Sequence, residues 1–127
     1  GPLMRASTSR PQNGNAPMGS AGLMRSEGGD IPEGLQLVTG AIAMARLHAR
    51  DGVSGADASL GSLLQIRGRI YGNNSRQPEA IVDLDESISI FQRLIVDDGQ
   101  TALKPHLARS ERHRKEAEMG KALSDID

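Results

Sequence analysis

The chain predicts an all-α fold: antiparallel helical hairpins forming a right-handed stack or a small bundle of about four helices. Three observations carry this expectation. Apolar residues recur at three- and four-residue steps from Leu60 to Ile95, the period of one helical face. Period two fails from Ile81 to Ile95, which argues against a half-buried strand. Clusters of Gly, Asn, Ser and Asp divide the periodic segments at intervals of a helix length, as helix stop signals do.

In chain order, Gly1-Pro2-Leu3 reads as the remnant of a protease-cleaved tag, with Met4 the natural start. Arg5 to Asp30 is Gly, Ser, Pro, Asn and Arg with scattered Met and no apolar period. Such a segment buries too little surface to offset the entropy of ordering it. Residues 1–30 are therefore expected to be a disordered tail, and residues 31–127 the folded domain.

The first helix is expected to open at Ile31 or Pro32, where proline and Glu33 suit a first turn. Leu35, Val38, Ile42 and Ala45 form one stripe, with Leu37, Ala41, Met44 and His48 beside it. Arg50-Asp51-Gly52 reads as its end. The second helix spans about Ala58 to Gly72 and carries Leu60, Leu63, Leu64, Ile66, Ile70 and Tyr71. Asp57 is the expected N-cap, because a short side-chain acceptor satisfies an open amide there. Gly72-Asn73-Asn74-Ser75 closes that helix with residues that enter a left-handed conformation at low cost. The third begins near Pro78, with Glu79 at the positive end of the helix dipole. Its stripe is Ile81, Leu84, Ile88, Phe91 and Ile95. Two such helices joined by a short polar turn make an αα-hairpin. Asp97-Asp98-Gly99-Gln100 ends it, and a last helix is expected from Pro105 to Ser124. That helix is thinly apolar, and Ser110 to Glu118 is nearly all charged. The sequence leaves it free to pack on the hairpin, cap a stack or pair with another chain.

Gly68, Tyr71, Glu79, Ala80, Leu84 and Ser87 stand in the order and spacing of a tetratricopeptide repeat, a helix–turn–helix unit of about 34 residues. The stretch from about 61 to 95 resembles one such repeat, flanked by degenerate half-repeats. Leu64 stands where that family favours Trp, Arg67 where it favours Leu, and Lys115 where a following repeat would carry Gly. Gly68 fits the resemblance on physical grounds, since a mid-helix glycine costs about 1 kcal/mol relative to alanine unless close packing requires it. The expected packing residues are Leu64, Gly68, Tyr71, Ala80, Leu84, Ser87, Ile88 and Phe91. The resemblance implies a concave surface, lined by first helices, that holds a peptide or helix. Gln65 and Arg69 are the exposed candidates on it, with Arg67 a third, and arginines there suit an acidic or carboxylate-ended ligand.

Composition narrows the chemistry. The 127 residues include no cysteine and three histidines, and the formal net charge is −1. A disulfide framework, a thiolate metal site and a cysteine nucleophile are thereby excluded. His48, His106 and His113 form no HExxH motif, and no cofactor or metal is expected. Asp83-x-Asp85-x-Ser87 begins like a calcium loop, but Ile88 replaces the required Gly. Glu79, Asp83, Asp85 and Glu86 are expected on a solvated face. Phosphate-binding and nucleophile-elbow motifs are absent. Arg109, Arg112, Arg114, Lys115 and Lys121 make the last helix basic, but Glu111, Glu116 and Glu118 interleave with them. That pattern lacks the uninterrupted stripe and stacking aromatics of a nucleic-acid binder. It fits an ion-paired helix, or one in which Arg109 and Arg112 dock an acidic protein surface. No apolar run approaches the roughly 20 residues of a membrane span, and a cytoplasmic setting is expected. The functional expectation is a non-enzymatic protein–protein interaction module that binds a peptide or helix. The alternative is a structural or assembly protein that homo-oligomerises, or docks in a larger complex, through incomplete repeat ends.

Overall fold

The computed structural model describes residues 31–126. The tail expected over residues 1–30 lies outside them. Helix α1 spans Ile31–Arg50, α2 Ala56–Asn73 and α3 Gln77–Val96. A 3₁₀ turn at Thr101–Leu103 leads into α4, Lys104–Ser124. The described residues contain no strand, and no helix among them is long and apolar enough to cross a membrane.

The helix ends differ from expectation in two details. Gly55, at φ 81°, is the N-cap of α2, in a left-handed conformation that favours glycine. Asp57 lies in the first turn instead and faces Arg93 of α3 at 3.6 Å. At the other end of α2, Gly72 stays helical, and Ser75 takes the left-handed turn at φ 63°. Asn74 helps to close that end, its Nδ2 donating to the Ile70 carbonyl at 2.6 Å.

α2 lies between α1 and α3, while α4 packs along α3 and reaches α2. One apolar cluster joins Val38, Ala41, Ile42 and Ala45 of α1 to Leu60, Leu63, Leu64 and Ile70 of α2 and to Ile90 and Leu94 of α3. A second joins Ala80 and Leu84 of α3 to Ala117 of α4, with Tyr71 and Ile81 against it. The α2–α3 crossing is close. A Cβ on Gly68 would lie 2.7 Å from Leu84 Cγ, and one on Gly61 2.9 Å from the Phe91 ring.

The buried side of α3 is Ala80, Asp83, Leu84, Ser87, Ile90, Phe91 and Leu94. Ile81, Ile88 and Ile95 are only half-buried. Ile88, expected in the core, therefore sits at its margin, beside Arg114 and Lys115 of α4. The cause is that α2 and α4 both press on α3. The small Ala80 and Ser87 occupy the tightest approaches, which turns the branched residues toward the edges.

The carboxylates of α3 are not simply solvated either. Asp83 is 4% exposed. It accepts two bonds from Arg67 of α2, 2.8 Å from Nε and 2.9 Å from Nη2. Glu86 accepts two from Arg46 of α1, at 2.6 and 2.9 Å. Asp85 takes Arg114 of α4, and Glu79 takes its neighbour Arg76. Three successive acids of α3 thus bind arginines from three different helices.

Candidate functional site

The groove between α2 and α4 is the candidate site. On α2 its wall is Ser62, Gln65, Ile66 and Arg69, and on α4 it is His106, Arg109 and His113. Steps of three and four place each set along one helical side. The groove measures about 340 Å³. It adjoins a smaller hollow of about 70 Å³ that shares Arg69 and His113 and continues to Gly72, Asn73 and Glu116.

A buried polar chain builds the floor. Gln65 is only 7% exposed, so it is not the exposed contact expected from the sequence. Its Nε2 donates to the His106 carbonyl at 3.0 Å and to Ser110 Oγ at 2.6 Å. Ser87 Oγ donates to the Gly61 carbonyl at 2.8 Å. The two serine oxygens lie 2.8 Å apart. Each hydroxyl carries one proton, so the consistent direction runs from Gln65 to Ser110, to Ser87, to the Gly61 carbonyl. This chain ties α2, α3 and α4 together at one level and holds the groove walls apart at a fixed distance. Above it, the His106 ring stacks on Phe91, with centroids 5.7 Å apart.

The rim is basic. Arg69 and Arg109 stand on opposite walls with His106 and His113, and Ile66 supplies an apolar patch. Among the described residues that line the groove and the adjoining hollow, Glu116 is the carboxylate, 3.1 Å from His113 Nδ1 at the far end. Guanidinium groups facing a groove offer planar, forked donors that match carboxylates and phosphates. Among the described residues, no three His, Asp or Glu side chains come together as a metal site would need.

Of the five polar residues singled out in the sequence, the structure brings together Gln65, Arg69 and Arg109. Arg67 points away from the groove, bonded to Asp83 and, at 3.2 Å, to Thr39 of α1. The Asp83 carboxylate raises the Arg67 pKa above the usual arginine range, so that guanidinium is a fixed structural charge. Arg112 is exposed outside the groove wall. Ser62, Ile66 and the two histidines were missed as groove residues. The seven-residue spacing of His106 and His113 was the available signal, since it places both on one side of a helix.

A larger cleft of about 560 Å³ lies between α3 and α4, lined by Asp85, Glu111, Arg114, Lys115 and Glu118. Arg114 there is held by both Asp85 and Glu118. Three acids and two bases line that cleft, so it lacks the basic rim of the α2–α4 groove. No known protein family, curated protein or solved structure matches the chain.

Proposed function

We propose that this chain is a non-enzymatic protein–protein interaction module, similar in plan to a tetratricopeptide repeat, that holds an acidic segment of a partner protein in the α2–α4 groove. The observation that carries the reading is the rim of Arg69, Arg109, His106 and His113 over the Ile66 patch. An extended or helical peptide lies in such a trough with apolar side chains down and carboxylates against the arginines. The polar chain through Gln65, Ser110 and Ser87 supports the reading, because it preorganises both walls before a ligand arrives.

The test is fluorescence anisotropy with a labelled glutamate-rich peptide ending in a free carboxylate. Arg69→Glu and Arg109→Glu are expected to abolish binding while far-ultraviolet circular dichroism keeps the full helical signal. Arg112→Glu, outside the groove, is expected to change affinity little. Added salt weakens binding by the wild-type chain, as screened charge pairs require. Equal affinity in wild type and both groove variants would sink the assignment.

A further inference from the structure

Of the basic side chains on the groove wall, Arg69 and Arg109 keep their charge at every ordinary pH. His106 and His113 differ, because imidazole is the side chain that changes charge between about pH 5 and 8. The two histidines have different partners. His106 stacks on the Phe91 ring. His113 Nδ1 lies 3.1 Å from Glu116 Oε1. An ionised carboxylate only accepts hydrogen bonds, so Nδ1 carries the proton in that pair. A neutral imidazole has a single N–H. With that proton on Nδ1, Nε2 is left as an acceptor.

An acceptor there opposes an acidic ligand. His113 lines both the groove and the adjoining hollow, whereas Glu116 lines the hollow alone. Nδ1 is committed on the hollow side, and Nε2 is the ring nitrogen left for the groove. Its lone pair meets a ligand carboxylate acceptor to acceptor. A second proton makes Nε2 a donor and keeps the Glu116 bond, since both nitrogens of imidazolium donate. The His113 side chain is 16% exposed, so the charge gained is balanced chiefly by Glu116 and by the anion in the groove. The remaining charged groups along this wall are Arg69 of α2 and Arg109 and His106 of α4. α3 lines neither hollow, and its Asp85 is taken by Arg114. The 3₁₀ turn at Thr101–Leu103 carries no charge.

We infer that the α2–α4 groove takes up a proton at His113 Nε2 as it binds an acidic segment, so that affinity rises as pH falls. The inference rests on the acidic-ligand reading of the groove. By linkage, the anion and the proton each strengthen the binding of the other. Glu116 is a positioning residue: it fixes which nitrogen of His113 holds the first proton and favours arrival of the second.

The full chain and the labelled glutamate-rich peptide test this by anisotropy between about pH 5.5 and 8.5, a range in which the peptide's own carboxylates stay ionised. The dissociation constant of the wild type is expected to fall with pH, by up to about tenfold per unit, the limit for one linked proton. Calorimetry in two buffers of different ionisation enthalpy is expected to read a net uptake of protons on binding. His113→Gln is expected to lose both the pH dependence and the uptake. Glu116→Gln, at an exposed residue, moves the profile to lower pH, and His106→Gln keeps the slope. Binding of equal strength across the range overturns the inference and leaves the acidic-ligand reading standing. So does a slope that survives His113→Gln or vanishes with His106→Gln, or a profile that Glu116→Gln leaves in place. Absence of peptide binding at every pH overturns both.

Discussion

Helices α1 and α4 are nearly equal in length, 20 and 21 residues, and flank the same hairpin, yet different forces hold them. α1 is attached by an apolar seam of Val38, Ala41, Ile42 and Ala45. α4 buries only Ser110 and Ala117. Its attachment is polar and close-packed: the Gln65–Ser110–Ser87 chain, the His106–Phe91 stack, the Arg114–Asp85 pair and the approach of Gly120 to Gln77. An apolar seam gains from area and tolerates small shifts, because the hydrophobic effect has no direction. A polar junction gains little net energy per bond but costs much when half broken. The first kind of helix is held by quantity, the second by completeness.

Two substitutions separate these modes. Ile42→Ala in the seam is expected to lose about 3 kcal/mol, as transfer and cavity terms predict for a buried aliphatic, with one cooperative transition in urea. Ser110→Ala at the junction is expected to lose about 1–2 kcal/mol, because it interrupts the bonds of a buried network. Hydrogen exchange distinguishes the two beyond their size. In Ser110→Ala, amides of α4 lose protection while those of α1 keep it, since local opening follows the weakest attachment. Adding Ser87→Ala to Ser110→Ala costs less than the sum of the single variants, because both partners of one bond are then absent. Uniform loss of protection across α1 and α4 would show that the two attachments do not differ.

The same contrast decides how much of the molecule was legible in the sequence. α1 was read almost to the residue, because Leu35, Val38, Ile42 and Ala45 repeat at helical steps and the seam is made of those side chains. α4 was placed within a residue by Pro105 and the charge pattern, but not its packing, because no apolar stripe marks a helix held through Ser110 and Ala117. α3 lies between these cases. Of the apolar stripe Ile81, Leu84, Ile88, Phe91 and Ile95, Leu84 and Phe91 are buried while the three isoleucines lie at the margins, and the small Ala80 and Ser87 are buried beside them. Small residues at close crossings carry no hydropathy signal, so spacing located them where hydropathy did not. Asp83 was illegible for a related reason: an acid enters a core only with its partner, and Arg67 lies on another helix. In the groove, Arg69 and Arg109 could be named separately, but their meeting across two helices required the fold.

The crossing of α2 on α3 offers a smaller test of this view. Gly68→Ala puts a Cβ 2.7 Å from Leu84 Cγ and 3.3 Å from the Ala80 carbonyl oxygen. Overpacking of that kind costs about 1–3 kcal/mol, and the helix propensity gained returns about 1 kcal/mol. The expected net loss is about 1 kcal/mol in urea unfolding. Gly40→Ala, with nothing near it, is expected to raise monomer stability by a few tenths up to about 1 kcal/mol. If both substitutions stabilise alike, Gly68 is not a packing residue.

The smallest expected effect sets the two outer helices apart by pH. Hydrogen bonding to Arg46 holds the Glu86 carboxyl below the usual carboxylate range. A carboxyl with a depressed folded pKa contributes stability above its unfolded value and loses it as pH falls through the folded value. The Arg46–Glu86 link between α1 and α3 is therefore complete above about pH 4.3, the ordinary glutamate value, and fades below it. Both side chains are more than a third exposed, at 47% and 37%, so solvent screening keeps the contribution under about 1 kcal/mol. Glu86→Gln is expected to flatten the acid side of the stability–pH curve slightly and to weaken protection of α1 at neutral pH. Glu79 is also held low, by hydrogen bonding to Arg76. That pair is local to the start of α3, so Glu79→Gln is expected to leave α1 protection unchanged. Equal effects on α1 from the two variants would mean that the charge pairs of α3 act as a general field and do not fasten individual helices.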